Sequence, residues 1–251
     1  MAAYNAAATV GDALESIRSQ RYADWELLVV DDASTDDTRR ILDAFATSEP
    51  RARVIHRDAN AGLASCLNLA LREARGGLVA RMDADDQALP ERFSLQVKFL
   101  DDHPEIAILG GGAQVIDRDG AAISQIHRPE EHDDLAARIY LENPFVHPTV
   151  MARRNVFEEL GGYDTTLRRG QDYDLWLRAY RRFRMHNLPQ PLINYRHGRT
   201  PVWRNARYSS VILLRALRRE GRLWQAPWLA ARPMLATAVA LLTARARGKA
   251  Q

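Results

Sequence analysis

The chain has 251 residues, enough for one large domain or a domain with an appendage, and its 46% hydrophobic and 27% charged residues suit a soluble globular protein. One cysteine, Cys66, excludes an internal disulfide framework and fits a reducing compartment. The net charge of +3 conceals an asymmetry: from Arg199 onward eleven Lys/Arg face the single acid Glu220, so this stretch stands near +10 and the remainder near −7.

Met1 to Asn5 contain no basic n-region and no apolar h-region, so no signal peptide is expected. The apolar run Trp25 to Val30 predicts a strand ending in Asp31-Asp32, and Ser34 to Asp37 read as the start of a helix running to about Ala46. Arg53 to His56 predict the next strand. Leu63 to Arg75 have helical spacing, contain Cys66 as a small buried residue, and stop at Gly76-Gly77 as a plausible C-cap. Leu78 to Met82 predict another strand, ending in Asp83-Ala84-Asp85-Asp86, and Pro90 opens the following helix. This βαβα order implies a mostly parallel sheet covered by helices.

After Ile106 to Leu109 the rhythm changes. Gln114 to Asp117 and Ala121 to Ile126 flank Asp119-Gly120 and predict a hairpin. Asp133 to Leu141 predict a helix, Val146 to Met151 a strand, and Asp172 to Arg182 a helix with Leu175, Trp176 and Ala179 inward. The second half is thus mixed. The chain from Trp203 is Arg-rich and helical in pattern. Its apolar run Met234 to Ala244 is too short to span a bilayer, and reads equally as an interfacial helix or as one packed on the protein's own surface. A basic tail suits membrane headgroups or nucleic acid, but no nucleic-acid-binding module is present.

Two predicted parallel strands end in acids, Asp31-Asp32 and Asp83 to Asp86, and ligands of open α/β sheets bind beyond the carboxyl ends of strands. Alternating carboxylates offer oxygen ligands on one side of an extended chain, a seat for Mg²⁺ or Mn²⁺. One such cluster alone is more simply a turn; two at equivalent strand ends favour a site. Asp172, near a helix start, is on spacing alone a cap. Gly110-Gly111-Gly112 lack the third glycine of a dinucleotide fingerprint and are explained equally by close backbone approach. His127 and His132 read as loop residues. Arg168-Arg169 read as a solvated face that could meet an anionic substrate.

Tyr4-Asn5, Val30 to Asp36, Asn60-Ala61-Gly62 with Asn68, Met82 to Asp86 with Pro90 and Arg92, His147-Pro148-Thr149, Gly161 to Asp164 and Gln171 to Arg178 occur in that order. Over about residues 2–198 the set resembles the family 2 glycosyltransferases of the GT-A fold, of the bacterial cell-surface polysaccharide type. The resemblance implies a GT-A domain over 1–198, with a mixed C-terminal half, and a basic helical extension over 199–251. It implies that Tyr4, Asn5, Asp31, Asp32, Asn60, Gly62 and Asp83 line a nucleotide-sugar site and that Asp85 and Asp83 serve a divalent metal, Mg or Mn. It further implies that Asp172 is the catalytic base and that His147 and Trp176 shape the acceptor side. The reaction implied is inverting transfer from a nucleoside-diphosphate-sugar to a glycan or lipid-linked acceptor. The implied location is the cytoplasm, with peripheral contact at the inner membrane face through the basic tail and no nucleic acid partner. The alternatives are a sugar nucleotidyltransferase, against which residues 1–12 lack a glycine-rich basic loop, and a truncated, non-catalytic nucleotide-sugar-binding protein. Three departures stand out: only Met1-Ala2-Ala3 precede Tyr4, so the first strand is cut short; Ala3 replaces a usual proline; and Gln171 stands where Glu is common.

Overall fold

The computed structural model describes residues 1–196 and 202–229. In chain order the first half runs β1 (Ala2–Ala3), α1 (Val10–Arg18), β2 (Leu27–Asp31), α2 (Thr38–Ser48), β3 (Ala52–His56), α3 (Leu63–Glu73), β4 (Leu78–Ala80), β5 (Gln87–Ala88) and α4 (Arg92–Asp102). Then follow β6 (Ile106–Ile116), β7 (Ala122–Ile126), α5 (His132–Arg138), β8 (Met151–Arg153), α6 (Arg154–Leu160), α7 (Gln171–Ala179), β9 (Arg184–Arg196), α8 (Val202–Arg219) and α9 (Ala226–Leu229).

β1, β2 and β3 form a parallel sheet in that order. All five residues of β2 are buried, as a continuous apolar run requires of an inner parallel strand. The other strands form a mixed sheet in the order β4-β8-β6-β9-β5, with β7 paired to β6 as the expected hairpin. β4 therefore does not extend the parallel sheet: it runs antiparallel to β8 and meets β1 only through the bridge between Ala2 and Asp83. Beside Met1 a groove of about 590 Å³ separates β2 from β4, lined by Leu27, Leu28, Leu78 and Phe93. The Met1 backbone nitrogen donates to the Leu28 carbonyl at 2.7 Å inside this gap.

Two further expectations shift. Val146 to Met151 is not a continuous strand: His147–Thr149 form a 3₁₀ turn around Pro148, which lacks the N–H a ladder needs. The α3 helix ends before Gly76-Gly77, at an extended Ala74; Arg75 and Gly76 instead donate their N–H groups to Glu26. The three glycines of β6 are a place of close approach. A Cβ on Gly110 would collide with Asn187 and Phe145, and one on Gly111 with Leu192.

The core has two parts. Val10, Leu14, Val29, Leu42, Leu100 and Leu109 pack the first half. Leu135, Phe145, Leu175, Trp176, Met185 and Ile212 pack the second, so α8 shares a core with α7. Buried Asp174 ties the two helices, pairing with Arg178 at 2.9 Å and with Arg219 of α8 at 2.7 Å. No described helix is long and apolar enough to cross a membrane. The apolar run Met234 to Ala244 lies outside the described residues.

Candidate active site

The two acid clusters at strand ends differ in their local bonding. Asp31 and Asp32, closing β2, are buried. Asp32 accepts N–H bonds from Ala61 and Gly62, each at 2.8 Å, and Asn60 donates to the Asp32 carbonyl at 3.2 Å. Gly62 has φ +83°, which favours a glycine at this turn. Asp31 accepts from the Ser34 N–H at 3.1 Å and lies 3.0 Å from His56, whose other nitrogen reaches Asp43 at 2.8 Å. Burial works to raise the Asp31 carboxyl, yet the bonds from Ser34 and His56 outweigh it and hold it below the usual range. Tyr4 is exposed beside this wall. Asn5, at φ 48°, accepts the Thr35 N–H on its side chain at 2.8 Å. Five of the expected nucleotide-site residues thus lace the loops beyond β1, β2 and β3 together.

The second cluster follows β4. Asp83, Asp85 and Asp86 offer carboxylate oxygens within 4.8 Å of one another. Arg81, buried beneath them, grips both oxygens of Asp83, one at 2.6 Å. Buried Arg92 in turn donates to the Arg81 carbonyl at 2.7 Å, fixing the segment from below. Asp85 is exposed, and its partial desolvation and the charge of Asp83 raise its pKa. Asp86 is buried; one oxygen accepts the Arg196 N–H at 2.8 Å and the other has no partner. Burial and the charge of Asp83 push its carboxyl up to about 8. An orphaned carboxylate oxygen beside two further carboxylates is a donor set that suits a hard divalent cation. The sequence points to Asp83 and Asp85 for a metal, with Asp86 as a neighbour; the structure brings the Asp86 carboxylate into the same cluster.

A cleft of about 830 Å³ opens beside Asp83. Arg81 and Asp83 line one part of it, and Asp172, in the first turn of α7, lines another. Asp172 Oδ2 accepts a bond from the Asn143 side chain at 2.7 Å. Burial raises the Asp172 pKa, and the bond from Asn143 works against that rise. His147 also lines the cleft; it is buried, lies 3.0 Å from the Tyr163 hydroxyl, and desolvation keeps its imidazole neutral. Trp176 does not reach the cleft. It is fully buried behind His147 and Phe145, edge-on to both, with ring centroids 6.1 and 5.1 Å away. Arg81 and Asn143 were not singled out from sequence. Arg81 immediately precedes Met82 in the quoted motif, and no spacing signal points to Asn143.

The comparisons with known proteins decide the family. The model described as "Glycosyl transferase family 2" matches residues 1–161. The chain belongs to glycosyl transferase family 2. It is 38% identical over 200 residues to the putative glycosyltransferase EpsE of Bacillus subtilis, covering 78% of this chain and 71% of that protein. It is 33% identical over 188 residues to the amylovoran biosynthesis glycosyltransferase AmsE of Erwinia amylovora, covering 74% and 69%. Among solved structures it is similar to the mannosyltransferase PcManGT of Pyrobaculum calidifontis, in complex with GDP-Man and Mn²⁺: TM-score 0.67, 21% identity, 98% of this chain and 73% of that one. S. aureus TarS residues 1–349 with UDP-GlcNAc gives a TM-score of 0.66 at 20% identity, over 88% and 68%. The fold is GT-A, and this family 2 chain is a glycosyltransferase.

Proposed function

We propose that the chain transfers a sugar from a nucleoside-diphosphate-sugar to a glycan or lipid-linked acceptor, with inversion and with a divalent metal, in cell-surface polysaccharide biosynthesis. The carrying observation is that Asp83 and Asp172, from opposite halves of the chain, line one cleft. The wall of Asp31, Asp32, Asn60 and Gly62, with Tyr4 and Asn5, holds the nucleoside. Asp83, Asp85 and Asp86 hold Mg²⁺ or Mn²⁺, which when bound neutralises charge on the leaving diphosphate. Asp172 takes the proton from the acceptor hydroxyl as the new bond forms, and Asn143 keeps its carboxylate oriented and charged. One displacement on the face opposite the leaving group inverts the anomeric centre. His147 is neutral and serves as a polar wall of the acceptor side, with Trp176 as its backing. Relatives named for amylovoran, O-antigen and teichuronic acid biosynthesis support the polysaccharide assignment. The strongly basic stretch after residue 198 serves as a contact with the anionic inner face of the membrane.

A donor screen tests this reading. Release of nucleoside diphosphate is expected from one or a few nucleotide-sugars, dependent on Mg²⁺ or Mn²⁺. Asp85→Ala is expected to abolish both transfer and metal-dependent nucleotide binding. Release of pyrophosphate together with a sugar phosphate would mark a nucleotidyltransferase instead.

A further inference from the structure

The charges of the cleft are unevenly matched. Arg81 is paired with Asp83, and Asp172 is bonded by Asn143. Glu142 lies 3.8 Å from Arg138. Arg128 and Arg168 also line the cleft, and neither meets a carboxylate among the described residues. Among the described residues Arg128 bonds only to the adjacent His127 carbonyl, at 3.3 Å, and its Nε is buried without a partner. Arg168 is exposed; the Arg128 edge, desolvated without an acceptor, carries a cost that an incoming anion relieves.

Gln171 supplies an independent observation. It lines the same cleft, is only 5% exposed, and its carboxamide oxygen has no hydrogen-bond partner among the described residues. It adjoins Asp172 and carries no charge. The other acid of this helix turn, Asp174, is neutralised by Arg178 and Arg219. The cleft beside Asp172 thus combines the Arg128 and Arg168 guanidiniums, which meet no carboxylate among the described residues, with one orphaned acceptor. That set complements a sugar that brings both an anionic group and a hydroxyl.

We infer that the acceptor is acidic: Arg128 and Arg168 bind a phosphate or carboxylate on it, while Gln171 accepts a bond from one of its hydroxyls. This rests on the transferase reading and deepens it by naming the acceptor's charge class.

The test is equilibrium binding to the full chain, with UDP or GDP and Mg²⁺ present, of methyl β-glucoside, methyl β-glucuronide and glucose 1-phosphate. At least one acidic probe is expected to bind roughly tenfold tighter than the neutral glucoside, the worth of a charge-assisted bond. Preference for the glucuronide alone marks a uronic acid, preference for glucose 1-phosphate alone marks a phosphate, and either supports the inference. R128Q and R168Q are each expected to erase most of the preference, and Q171E to reverse it, with thermal melts confirming folded variants. Equal binding of neutral and acidic probes overturns the inference. So do arginine variants that bind all probes like the parent, or that lose nucleotide instead, since the guanidiniums would then serve the donor. Acidic preference without nucleotide binding overturns the transferase reading and leaves the basic cleft standing; nucleotide binding without acidic preference does the reverse.

Discussion

Asn143 donates its side-chain N–H to Oδ2 of Asp172 at 2.7 Å. The bond stabilises the ionised carboxylate against the burial that raises its pKa. Asn143→Ala removes that support, so the pKa of Asp172 rises further. A base must be ionised to work, so the acid limb of the kcat profile moves to higher pH. On the acid limb, at a pH below the parent pKa of Asp172, kcat is expected to fall about tenfold, in line with the loss of a hydrogen bond to a charged group. Nucleotide affinity should change little, and a pH series of steady-state rates separates the two effects.

Arg81 holds Asp83 by both oxygens from a buried position. Arg81→Met leaves Asp83 uncompensated and is expected to destabilise the fold by about 3 kcal/mol in urea titrations. Arg81→Lys should recover only part of this, because an ammonium cannot match the two-pronged grip. Equal stability of parent and methionine variant would show that the pair contributes nothing.

Much of this geometry was legible in the sequence, and the failures have physical causes. Asp31-Asp32 and Asp83 to Asp86 could be placed at strand ends because an apolar run before each predicts the strand. Asp172 read only as a helix cap until the resemblance gave it a role. Asn143 could not be found, because it reaches Asp172 through tertiary packing across 29 residues of chain. The pairing of β4 with β8 could not be read, because periodicity within β4 carries no information about its partner. Helical spacing puts Trp176 inward, and it is fully buried; the place on the acceptor side came from the resemblance, and the ring instead packs behind His147.

The folded pKa of Asp86, about 8, lies above the ordinary 3.8, so without a cation the folded chain retains a proton that the unfolded chain has lost. Stability from this group therefore falls as pH rises from about 4 to about 8. Mn²⁺ should offset the penalty, so the rise in Tm on adding it is expected to grow between pH 5.5 and 8. Asp86→Asn should flatten the metal-free slope and reduce the Mn²⁺ increment. A Tm increment independent of pH in both proteins would remove Asp86 from the metal set.

The pairing of Asp83 and Asp172 in one cleft carries the central claim, that one side binds the donor while the other activates the acceptor. The most direct measurement compares Asp172→Asn with the parent, reading transfer to acceptor and nucleoside diphosphate affinity on the same preparation. The account predicts transfer reduced by about a thousandfold or more with nucleotide affinity within about twofold. Transfer retained by the asparagine variant, or lost together with nucleotide binding, would contradict it.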